Sequence, residues 1–90
     1  MDDWLWRTVV TNGIPVGRIV DVISDGASKK VIGYEVRCQD EQHRFLPRAS
    51  ATHRGSEIEI DSPLALLDTD QLDFYRRRGV SLRAHQEPAA

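Results

Sequence analysis

VGRIVDVISDGASKKVIGYEVR, residues 16–37, holds two β-branched runs on either side of a polar, glycine-bearing turn. Read as a strand from Val16 to Ser24, the first run puts Ile19, Asp21 and Ile23 on one face and Val20 and Val22 on the other. The second, Val31 to Cys38, sets Ile32, Tyr34, Val36 and Cys38 against Gly33, Glu35 and Arg37. A hairpin with one wet face would alternate cleanly. This one is apolar on both faces of its first strand and therefore calls for cover on both sides. The turn between the strands has its own chemistry: the Asp25 carboxylate can accept from nearby backbone N–H groups, and Gly26 tolerates positive φ.

Working outward, Trp4 to Val10 reads as a preceding strand, and Asn12–Gly13 after it is a tight-turn signal. Pro15 cannot donate to a ladder, which places the start of the next strand at Val16. QDEQ (residues 39–42) leads to a short strand from His43 to Leu46, stopped by Pro47. RASATHRGS reads as loop, and Glu57 to Ile60 as a last strand with Ile58 and Ile60 inward. Short strands at this spacing predict a small barrel or sandwich.

Beyond Asp61 the period changes. Asp68 followed by Gln71 is a capping-box variant, and Leu67 with Leu72 forms a hydrophobic staple. Asp70 and Asp73 early, with Arg76, Arg77 and Arg78 late, suit the dipole of a helix over residues 69–78, and Gly79 reads as its left-handed stop. Leu67, Leu72 and Tyr75 are expected to pack this helix on the strands. Residues 1–83 read as one domain and residues 84–90 as a tail.

With 90 residues, 40% of them apolar and 29% charged, the chain has a globular composition. A net charge of −2 gives no general pull toward nucleic acid or anionic lipid. Cys38 is the single cysteine, so no disulfide forms within the chain. The acidic start, without a long apolar run, predicts a cytoplasmic protein with no signal peptide and no membrane span.

NGIPVGRIVDVISDGASKKVIGYEVR followed by HRFLPRASATHRGSEIEID resembles the PRC-barrel family, over residues 7–61. Val16, Gly17, Ile19, Asp21, Val22, Asp25, Gly33, Phe45, Leu46, Pro47, Ile58 and Ile60 fall on its pattern. The family includes the cytoplasmic domain of the photosynthetic reaction-centre H subunit and the C-terminal domain of the ribosome maturation factor RimM. The resemblance implies a small, strongly curved antiparallel β-barrel, here followed by the C-terminal helix. It also implies a docking or regulatory role in a bacterial cell rather than a fixed activity.

Function classes narrow further from the residues themselves. His43, His53 and His85 with Cys38 match no zinc spacing and read as surface histidines; no metal or cofactor is expected. No nucleophile elbow, phosphate loop or redox motif is present, so no enzyme is expected. Asp21, on an otherwise apolar strand, and Asp25, in the turn, read as structural carboxylates satisfied by hydrogen bonds. The alternative is an RNA- or ribosome-associated maturation factor binding RNA or a basic ribosomal protein; Arg76 to Arg78 could serve RNA, but Asp73 stands at i,i+3 and i,i+4 to Arg76 and Arg77 and offsets them. Trp4 and Trp6, sharing one strand face, exceed what a thin core readily hides. With Phe74, Tyr75 and the three arginines they are the candidate interface, and a homodimer that docks on a protein partner is the expectation.

Overall fold

The computed structural model describes residues 4–81; residues 1–3 and 82–90, with His85 and the expected tail, lie outside the described residues. The fold is mainly β with one helix. Strands β1 (Thr8–Thr11), β2 (Ile14–Asp25), β3 (Val31–Cys38), β4 (His43–Pro47), β5 (Thr52–Arg54) and β6 (Glu57–Glu59) precede helix α1 (Thr69–Arg78) and strand β7 (Gly79–Ser81). The first six form one sheet in the order β4-β3-β2-β1-β6-β5, and β7 pairs with the far end of β2.

Asn12 and Gly13 both take positive φ, 51° and 78°, in the two-residue loop that closes β1 on β2. The strand therefore starts at Ile14, two residues earlier than the proline suggested. Pro15 is tolerated because it falls beside the irregular step of the β1–β2 ladder. In the next turn positive φ falls on Lys29 (61°), not on Gly26. Asp25 holds that turn, accepting from the Ser28 hydroxyl (2.8 Å) and the Ala27 N–H (3.2 Å).

Two bulges shape the central hairpin. The register slips between Ile19 and Asp21, where β2 carries Val20 as an extra residue, and between Ile23 and Ser24, where β3 carries Ile32. Each slip reverses the alternation. Ile19 and Val22, three apart, join Tyr34 and Val36 in one core, and Ile23 and Ile32 belong to a second. The simple alternation read from the sequence is thus corrected at both bulges.

The first core gathers Val9, Ile19, Val22, Tyr34, Val36, Leu46, Ile58 and Ile60 from five strands and the residue after β6. Trp4 closes it, its ring stacked on Tyr34 at 4.8 Å and the Arg48 guanidinium lying 4.8 Å from the centre of the same ring. The ladder is not a closed antiparallel barrel: no pairing joins β4 to β5, and β1 runs parallel to β6 (Val9 opposite Ile58). The segment read as loop after Pro47 contains β5, and β7 was not anticipated.

The second core lies on the opposite face of the sheet. There α1 lays Leu72 against Ile23 and Phe45, with Ile32, Leu67 and Tyr75 around them. Phe45 and Tyr75 stack at 4.2 Å. Burying Leu72 fully is worth about 1.5–3 kcal/mol. The helix has the predicted limits, but Asp68 makes no side-chain cap; its carbonyl receives Gln71 N–H and Leu72 N–H. Gly79 is extended rather than left-handed, because the chain runs straight on into β7. A Cβ there would lie 2.9 Å from the Ser24 carbonyl oxygen, so close approach to β2 explains the glycine.

Gly33 has the same role under Phe45: a Cβ would collide with the Phe45 ring and stand 2.6 Å from the Leu46 carbonyl oxygen. Gly33→Ala is expected to cost about 1–3 kcal/mol in denaturant unfolding; no change would show that β3 and β4 are not packed this closely. A second expectation concerns acid. Hydrogen bonds from Ser28 and Ala27 hold Asp25 below its ordinary value, and Arg44 and the Gln42 N–H do the same for Asp40. A carboxyl depressed in the folded state stabilises above its unfolded value and loses that contribution as pH falls through the folded one. Asp40→Asn should therefore flatten the loss of stability below about pH 4, and added salt should blunt the effect because the pair is exposed.

Candidate docking groove beside a buried charge cluster

Helix α1 covers only part of its face of the sheet. From the covered end, that face presents Ile23 opposite Gly33, then Asp21 opposite Glu35, then Arg18 opposite Arg37. The last rung is open. There Trp6, Thr8, Gly17, Arg18, Val20 and Arg37 line a groove of 660 Å³, with Cys38 and Glu41 at its rim. The bulge that breaks the β2 ladder supplies its floor, since Val20 is added to the Arg18 and Asp21 side and is 7% exposed.

Trp6 forms one wall through unusual backbone. Its φ is +69°, a left-handed conformation that a bulky residue adopts at a cost. Its N–H donates to the Ile19 carbonyl (2.7 Å), and Arg7 N–H donates back to Trp4 (3.1 Å). The predicted strand from Trp4 is therefore a turn, and β1 begins at Thr8. In an extended strand the two indoles would share a face; here Trp4 enters the first core, 8% exposed, and Trp6 stands 54% exposed over the groove. Trp4 is thereby corrected from interface candidate to core residue.

Between groove and helix sits a buried acidic pair. Asp21 is 1% and Glu35 2% exposed, directly opposed across β2 and β3. Asp21 accepts from the Val22 N–H (2.9 Å) at the bulge. Glu35 Oε2 meets His43 Nδ1 from β4, while Oε1 has no hydrogen-bond partner among the described residues and faces Arg76 of α1 at 3.6 Å. His43 is in turn tied to the helix start, its carbonyl accepting from the Thr69 hydroxyl (2.9 Å). Burying charge without compensation is costly, so His43 and Arg76 are what make Glu35 tolerable there.

The sequence did not reveal this cluster. Glu35 sat in an ordinary polar alternation with Gly33 and Arg37, and His43 read as a surface residue. The available signal was the Asp21–Glu35 rung, visible only once the bulged register is known. The three arginines do not form one patch. Arg76 leans on Glu35, Arg78 lies over the Phe74 ring at 4.6 Å, and Arg77 is exposed. Tyr75 is half-buried on Phe45, so of the aromatic interface candidates Trp6 and Phe74 (45% exposed) are on the surface. Asp73 pairs with neither Arg76 nor Arg77.

Among the described residues no cluster of three or more histidine, cysteine or acidic side chains could hold a metal ion. No helix among them is long and apolar enough to cross a membrane. His43→Ala is expected to cost about 1–3 kcal/mol, because the Glu35 carboxylate loses its donor in a buried site. In the background of Glu35→Gln the same change should cost less, and additive losses would show the pair to be uncoupled. At the bulge, Asp21→Leu should destabilise more than Asp21→Asn; equal stability would contradict a hydrogen-bonded structural role.

No protein-family model matches the chain, and no curated protein matches it.

Proposed function

We propose that this chain is a non-enzymatic docking module of the PRC-barrel type, bacterial and cytoplasmic, that self-associates and binds a protein partner. In this reading the open sheet is the counterpart of the family's curved barrel and α1 is an added lid on one side. The order of motif residues from Val16 to Ile60 supports the architecture, and five strands converging on one core fit a strongly curved sheet. The observation that carries the function is the open half of the helix-bearing face. A bulky residue in left-handed backbone holds its ring exposed beside a groove floored by Val20. Strain of this kind is kept where it serves a site, and exposed tryptophan is enriched among residues that dominate binding energy.

The alternative, a maturation factor binding RNA or a basic ribosomal protein, would in its RNA form use Arg76, Arg77 and Arg78 together, and their three different surroundings do not favour that form.

Sedimentation equilibrium tests the proposal. The wild type is expected to be dimeric at micromolar concentration, and Trp6→Ser to weaken the dimer by at least about tenfold while leaving the fold intact. A wild type that stays monomeric at high micromolar concentration would contradict self-association.

A further inference from the structure

Helix α1 and the groove share one face of the sheet as a raised half and a recessed half. The outward stripe of the helix is Asp70, Asp73, Phe74 and Arg77, spaced i, i+3, i+4 and i+7, opposite the packed Leu72 and Tyr75. All four are exposed. Among the described residues neither Asp70 nor Asp73 has an ion-pair partner. The recessed half carries the opposite charge. Arg18 is exposed and likewise has no carboxylate partner, while Arg37 is held by Glu41 at 3.3 Å on the groove's rim.

We propose that the occupant of the groove is α1 of a second copy of this chain, which seats Phe74 against Trp6 and Val20 and sets Asp70 and Asp73 against Arg18 and Arg37. This rests on the self-association proposed above and names its surface. A two-fold axis between the halves turns the raised half of each copy onto the recessed half of the other, so the contact forms twice and closes. The two large exposed aromatic rings, Trp6 and Phe74, are buried together, and acids with no ion-pair partner among the described residues meet a cation that likewise has none among them. Such complementarity sets register and specificity as well as attraction.

Charge exchange tests the inference. Arg18→Glu and the double variant Asp70→Arg/Asp73→Arg are each expected to raise the dimer dissociation constant at least about tenfold. Mixed one to one they should recover a heterodimer, because each acidic groove then meets a basic helix and each native groove a native helix. All changed positions are exposed, and recovery on mixing itself shows that the variants are folded. A dimeric wild type whose association is unaffected by either variant, or two weakened variants that do not recover on mixing, would overturn this surface while leaving self-association standing. A monomeric wild type would overturn both.

Discussion

The two bulges of the central hairpin are the constraint on which the rest of the molecule depends. A strand of strict period two can serve one buried face well. By adding Val20 to β2 and Ile32 to β3, the hairpin shifts phase twice along its length. Ile19 and Val22 thus reach one core, while Ile23 reaches another without a break in the strand. The same device shapes the helix-bearing face, because both extra residues fall on that side. Ile32 packs beneath α1, and Val20 floors the open groove.

Charge then fixes how far the helix extends over that face. The rung after Ile23 and Gly33 is Asp21 opposite Glu35, which no apolar helix side chain could cover favourably. His43 and Arg76 meet Glu35 there instead, and the Thr69 hydroxyl anchors the helix start to β4. Leu72, Phe45 and Tyr75 pack the apolar part of the attachment, and the buried acid marks its border. Past the border the sheet face lies open, which is why a recess exists at all.

Much of this was legible in the sequence where the cause is local. The limits of α1, the hairpin turn at Asn12–Gly13 and the inward pair Ile58 and Ile60 follow from propensity, turn chemistry and spacing, and the structure has them. What was not legible is set by distant contacts. Gly79 looks like a helix stop but is extended because β7 must reach β2. Trp4 and Trp6 look like neighbours on a strand, yet a hydrogen bond from Trp6 N–H to Ile19 holds a turn that sends them to opposite sides. Glu35 looks solvent-facing until the register puts it opposite Asp21 and under the helix. In each case the local signal was real and a tertiary demand outweighed it.

Side-chain footprinting of the wild type by hydroxyl radicals, at dilute and at concentrated protein, tests the central claim most directly. Trp4 should be protected at both concentrations, and Trp6 and Phe74 should be labelled when dilute and protected together when concentrated. Labelling of Trp4 in the dilute sample, or protection on concentration that leaves Trp6 and Phe74 equally reactive, would contradict it.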